Sequence, residues 1–276
     1  MPELPEIEAL VQRLRPQLEG RRLVSTRVLH PRPCRPEAPS DLDPLLRDRV
    51  LLRLHRRAKY LVFQWEPKPT QPNRLLIHLG MTGSLAFSDS TPVAGRRDVA
   101  WMEWDHGHLT FEDPRRFGVF TCNDAVLAGL GPEPLSPDFT PAALARIGCS
   151  RQPVKVRLMD PAQVSGIGNI YASELLHRAG ISPRRRSDRI RDAEWPVLRD
   201  AIRQVLEEAI ARNLRAHQLG ISPYYHEAGT RGTWADDASP FLVYDRANEP
   251  CARCGSAIRR CEQAGRSTYW CPGCQR

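Results

Sequence analysis

The sequence predicts a multidomain α+β protein: an N-terminal helix with an antiparallel β-sandwich, a helical domain, and a C-terminal four-cysteine zinc ribbon. Three observations predict it. Short β-rich runs separated by Pro and Gly extend to about residue 121, apolar spacing turns helical after the Gly/Pro-rich stretch 131–137, and two Cys-x2-Cys pairs fall within the last 26 residues. The expected divisions are 1–131, 132–240 and 241–276.

Ile7, Leu10, Val11, Leu14 and Leu18 recur at helical spacing behind Pro5 and Glu6, residues suited to a first turn, so 5–18 reads as an amphipathic helix. Strands are expected at 23–29, 50–54, 60–65, 75–79, 99–104, 109–111 and 119–121, a number and punctuation that suit a sandwich or barrel. Helices are expected at 141–147, 154–160, 169–178, where Gly180 follows, and 194–213. Residues 214–240 read as irregular. Cys251-x2-Cys254 and Cys271-x2-Cys274 stand 16 residues apart, with Gly255 and Pro272-Gly273 turning the chain so that four thiolates can meet one tetrahedral ion. Cys261, between the pairs, has no such partner and reads as a spectator on the ribbon's hairpin.

A chain of 276 residues with 41% apolar content can bury real cores, which excludes disorder as its main state. No apolar run reaches the roughly 18 residues of a membrane span, and a start bearing Glu3, Glu6 and Glu8 lacks the basic and apolar regions of an export signal. A cytoplasmic protein without a membrane partner is the expectation. The net charge of +8 points to a polyanion. It is concentrated: 151–191 holds nine Lys/Arg against three Asp/Glu, and 251–276 holds five against one. Two basic segments in a balanced chain fit a nucleic-acid footprint, although solvated arginine faces would produce similar clusters.

Only Lys59, Lys68 and Lys155 are lysines among 40 basic residues. Where arginine serves for charge alone, a retained lysine is a candidate for chemistry that needs a proton to leave near neutral pH. Removal of Met1 would expose Pro2 as a secondary amine. An α-amino group has a pKa of about 7.7–8.0, so much of it is nucleophilic at neutral pH, and it can form a Schiff base at a sugar C1′. Glu3 beside it could move protons. A plain helix start would use the same residues.

The strings Met1-Pro-Glu-Leu-Pro-Glu6, Arg57-Ala-Lys-Tyr60, His78-Leu-Gly-Met-Thr-Gly83, Asp113-Pro-Arg-Arg-Phe-Gly118, Leu130-Gly-Pro-Glu-Pro-Leu135 and Gly166-Ile-Gly-Asn-Ile-Tyr-Ala172, followed by the ribbon, occur in one order. In that order and spacing the chain resembles bacterial formamidopyrimidine-DNA glycosylases over nearly its whole length. The resemblance implies a bifunctional glycosylase and abasic-site lyase that excises oxidised purines from duplex DNA in base excision repair. It implies Pro2 as nucleophile, Glu3 as the acid that opens the sugar ring, Glu6 as a supporting carboxylate, Lys59 as proton donor in β-elimination and Arg266 as a phosphate grip assisting δ-elimination.

The same resemblance makes Met81, Arg115 and Phe117 the side chains that fill the space of an extruded nucleotide, and their turn-like strings suit loop tips. It assigns Arg151, Lys155 and Asn169 to phosphate contacts around a helix, two turns, helix element. Gly166-Ile-Gly-Asn169 suits phosphate, because glycines allow close approach and a helix start offers free N–H groups; it also suits an ordinary Asn-capped helix. One structural zinc ion, a monomer, and double-stranded DNA with oxidised bases or abasic sites are implied, in the bacterial cytoplasm and on the nucleoid when bound. Two places depart from the family pattern. Arg96-Arg97 stands where a DNA-contacting His is usual, leaving Arg97 as the candidate, and 212–239 lacks the Gly-Gly-Thr type string of the loop that covers the flipped base. Competing readings are an endonuclease-VIII-like enzyme for oxidised pyrimidines and a damage-binding protein without catalysis.

Overall fold

The computed structural model describes residues 2–93, 95–219 and 240–276. These form two units: Glu6–Ala128 together with Pro2, and Glu3–Pro5 with 129–219 and 240–276.

In the first unit, helix α1 (Leu4–Leu18) and a short α2 (Pro39–Leu46) accompany eight strands: β1 (Arg22–Val28), β2 (Arg49–Arg57), β3 (Tyr60–Trp65), β4 (Arg74–His78), β5 (Ser84–Ser88), β6 (Asp98–Trp104), β7 (Gly107–Glu112) and β8 (Val119–Thr121). All pairings are antiparallel, in the order β5-β7-β6-β1-β2-β3-β4-β8. The join of β1 to β2 is confined to Arg22↔Val50 and Leu23↔Arg49, so the strands divide into two four-stranded layers, as expected for a sandwich. Trp65 of one layer stacks on Trp104 of the other at 5.7 Å, and Phe111 on Phe120 at 6.4 Å. Ile7, Leu10, Val11, Leu14 and Leu18 of α1 are buried in the same core, which is what their spacing predicted.

The sequence missed β5 and α2. β5 is a short edge strand that pairs only with β7 and half exposes its residues, so it lacks a clear alternation. α2 carries an internal Pro44.

The second unit contains α3 (Pro141–Ala145), α4 (Val154–Met159), α5 (Asn169–Arg178), α6 (Glu194–Gln218) and a hairpin of β9 (Arg259–Gln263) with β10 (Arg266–Trp270). α6 runs five residues past its expected end. Tyr171, Leu175, Leu198, Ile202 and Leu206 pack α5 on α6 in a core that also takes Leu4. A smaller core of Val243, Ile258 and Tyr269 lies beneath the cysteine pairs. The buried carboxylate of Glu174 on α5 accepts the N–H groups of Leu242, Val243 and Tyr244 at 2.8–2.9 Å, fixing the chain that leads into the ribbon. Its terminal residues are tied back too: Gln275 donates to the Ile181 carbonyl, and Arg276 and Gly180 pair through their backbones.

Candidate functional site

In the β unit, Lys59 occupies the two-residue turn Ala58-Lys59 between β2 and β3, where Arg57 pairs with Tyr60. Pro2 is buried and Glu6 half-buried. Met81 and Phe117 stand on turns and are 43% and 45% exposed, outside the core although both are large and apolar. The Arg115 guanidinium lies 4.8 Å from the Phe117 ring centre, a cation–π distance, and Arg32 approaches the same ring at 4.9 Å. Arg97 is exposed.

His78 precedes the Met81 turn and its Nδ1 accepts the Gly80 N–H at 3.0 Å. Burial, reinforced by the positive charge of Lys59, pushes its pKa down to about 4, so the ring is neutral at neutral pH. An unfolded chain protonates this ring as pH falls below 6.5, while the folded protein resists until about 4. The histidine therefore withdraws stability as pH drops through that window. On the order of 2 kcal/mol should be lost from this source between about pH 7 and about pH 5. His78→Asn keeps an acceptor for Gly80 and should flatten that limb of a thermal denaturation profile against pH; an undiminished acid slope would count against this account.

In the second unit, the Glu3 carboxylate caps α5. Its Oε2 accepts the Gly168 N–H at 2.7 Å and the Tyr171 N–H at 3.4 Å, and its Oε1 accepts that of Ile170 at 3.0 Å. The helix has no cap from its own preceding side chain, so a carboxylate more than 160 residues away supplies one, where the helix dipole favours negative charge. The glycines serve this approach. A Cβ on Gly168 would lie 2.3 Å from Glu3 Cδ, and one on Gly166, whose φ is +83°, would strike Leu4. The free N–H groups expected for phosphate at this helix start are thus engaged by Glu3, and Asn169 begins the helix without capping it.

Asn169 instead accepts from Lys155 Nζ at 2.6 Å. The same ammonium donates to the Ser267 carbonyl at 3.1 Å and to Thr268 Oγ1 at 2.8 Å. Lys155 has no exposed surface, and burial brings its pKa down to about 8 against the opposing pull of Cys261 and Glu3. It ties α4 and α5 to β10, whose first residue is the exposed Arg266. A cavity of about 320 Å³ bounded by Gln152, Lys155, Met159, Asp160, Gln263 and Arg266 opens beside them. Arg151 is exposed at the approach to α4. Thr268 and Glu174 escaped the sequence reading because their partners are remote, Lys155 being 113 residues from Thr268. Tyr224, Tyr225 and Trp234, aromatic residues of the 212–239 stretch that suit base stacking, lie outside the described residues.

The four Sγ atoms of Cys251, Cys254, Cys271 and Cys274 lie within 4.8 Å of one another, with Cys254–Cys271 at 3.3 Å and Cys251–Cys274 at 3.9 Å. A tetrahedral ion with Zn–S bonds of about 2.3 Å requires edges of about 3.8 Å, so this all-thiol set fits one structural zinc ion. His177 Nε2 lies 3.5 Å from Cys251 Sγ, placed to donate to its thiolate. Cys261 sits on β9 outside the cluster. Among the described residues no helix is long and apolar enough to cross a membrane.

A sandwich with an N-terminal helix, a capped helix pair and a four-cysteine ribbon define a multidomain protein of the zinc-ribbon class, and comparison with known proteins says which. Residues 1–120 match the formamidopyrimidine-DNA glycosylase N-terminal domain, 130–219 its H2TH domain, and 248–276 the zinc finger found in FPG and IleRS. Formamidopyrimidine-DNA glycosylases of Dechloromonas aromatica and Thiobacillus denitrificans are 41% and 42% identical over all of both chains. The Lactococcus lactis enzyme bound to DNA with an abasic site superposes with a TM-score of 0.83 at 26% identity, and MutM bound to DNA with carbocyclic 8-oxo-G with 0.83 at 29%, each over all of both chains. The chain belongs to the formamidopyrimidine-DNA glycosylase family.

Proposed function

We propose that this protein excises oxidised purines, 8-oxoguanine and formamidopyrimidines, from duplex DNA and then cleaves the strand, acting as a monomer in the cytoplasm on nucleoid DNA. The observation that carries the reading is the immobilised Glu3 carboxylate, held by backbone N–H groups one residue from Pro2. Once Met1 is removed, the Pro2 nitrogen attacks C1′; the bond from C1′ to the base breaks, and the base leaves with a proton. Glu3, entering this step as the neutral acid and leaving it as the carboxylate, protonates the ring oxygen O4′, opening the sugar to an iminium on Pro2, with Glu6 in support. Loss of a C2′ proton then expels the 3′ phosphate oxygen, with Lys59 supplying the proton for this β-elimination. A second elimination expels the 5′ oxygen while Arg266 holds phosphate. Hydrolysis of the iminium frees Pro2 and leaves a one-nucleotide gap with phosphates at both ends.

Met81, Arg115 and Phe117 fill the emptied stack, the guanidinium bonding the orphaned base. The endonuclease-VIII-like class typically lacks the complete Met, Arg and Phe set that this chain retains, which favours the oxidised-purine reading. Arg97, Arg151, Lys155 and Asn169 serve the phosphate backbone, Lys155 by holding Asn169 and the Arg266 hairpin in place. Borohydride reduction with a duplex containing 8-oxoguanine opposite C should trap a covalent complex whose cross-linked peptide maps to Pro2. Trapping of oxidised-pyrimidine duplex alone would favour the endonuclease-VIII-like enzyme, and processed protein that cross-links to no lesion or abasic duplex would refute both.

A further inference from the structure

Asp113 is fully buried, and its carboxylate accepts from two different turns. Thr82 Oγ1 donates to Oδ1 at 2.6 Å, reaching across from the turn that carries Met81. The Arg115 N–H donates to the same oxygen at 3.2 Å and the Gly118 N–H to Oδ2 at 2.8 Å, bracketing the turn that carries Arg115 and Phe117. The Asp113 N–H also bonds the Arg97 carbonyl at 2.9 Å. Beneath the carboxylate the two turns meet backbone to backbone. A Cβ on Gly80, whose φ is +61°, would lie 2.8 Å from the Gly118 nitrogen, and one on Gly118 would lie 2.8 Å from the His78 carbonyl oxygen.

We infer that Asp113 fuses the Met81 turn to the Arg115–Phe117 turn, so that the three exposed side chains enter the base stack as one preassembled wedge. The inference rests on the proposed function. Extruding a nucleotide costs a few kcal/mol of stacking and pairing, and the side chains that fill the space must be in place as the base leaves. Two turns ordered separately would each lose freedom at that moment; turns already locked by a charge-assisted bond lose it on folding. Asp113 touches no DNA in this scheme. It is a positioning residue, and Thr82 is the link between the turns.

The test is Thr82→Val, which keeps the shape and deletes the hydroxyl, with Thr82→Ser as the conservative variant. Single-turnover rates are compared on two substrates. One is duplex with 8-oxoguanine opposite C; the other is a single strand with a preformed abasic site, which has no base to extrude and no partner base to orphan. The ratio of duplex excision to abasic-strand cleavage should fall about 10- to 100-fold in Thr82→Val, as expected for loss of one part-buried bond to a charged group, and return close to wild type in Thr82→Ser. Equal losses on both substrates, or an unmoved ratio, overturn the wedge. Wild-type protein inactive on both would overturn the enzyme reading itself and the wedge with it, whereas an active wild type with an unmoved ratio sinks the wedge alone.

Discussion

Under the proposed mechanism, Glu3→Gln should slow sugar-ring opening, read as borohydride-trappable iminium and strand cleavage, about 100- to 10,000-fold, the span that a positioned proton donor contributes. The carboxylate is 1% exposed and spends both oxygens on N–H groups of α5. Glutamine can present one oxygen to that helix start, but its NH₂ then faces an N–H, donor against donor. The variant thus loses the proton that opens the sugar and part of the cap, which by itself is worth about 1 kcal/mol. The two effects separate by measurement, since the cap shifts the thermal midpoint and the proton shifts the single-turnover rate. Gly168→Ala gives an independent arm, because its Cβ would displace the carboxylate while leaving Glu3 in the sequence. Glu3→Gln protein that yields trappable iminium and cleaved strand within severalfold of wild type would remove Glu3 from the chemistry.

Loss of zinc should be the other large effect. Structural zinc binding contributes about 10–16 kcal/mol in isolated finger peptides, and the ribbon's own apolar core, chiefly Val243, Ile258 and Tyr269, is too small to replace it. Chelation or Cys254→Ser should release the β9–β10 hairpin, freeing Arg266 and stripping Lys155 of Ser267 and Thr268. A buried ammonium that loses its partners is costly, so the damage passes from the ribbon to Asn169 and α5. Affinity for lesion duplex should drop about 100-fold or more, equivalent to about 3 kcal/mol, before the sandwich melts. Demetallated protein, verified by metal analysis, that binds duplex with unchanged affinity would refute this role.

Signals confined to neighbouring residues were legible without coordinates. The helix of Ile7, Leu10, Val11, Leu14 and Leu18, the alternating strands, and the cysteine pairs with their turn residues all rest on periods and spacings that the chain carries locally. β5 and α2 were not legible, since an edge strand with mixed exposure and a helix with an internal proline lack a clean period. Loop placement of Met81 and Phe117 was readable because their flanking strings are turn formers.

The sequence alone determined the family, the order of its parts, the zinc ligands, and the residues proposed for chemistry. Only the tertiary structure decided how several of them are used. Gly166 and Gly168 make room for Leu4 and Glu3 at the helix start where phosphate was expected, Lys155 holds an internal network, and Asp113 binds two turns into one. The reason is physical: each of these groups is defined by the partner that takes its proton or its lone pair, and that partner is brought near by folding across as many as 168 residues.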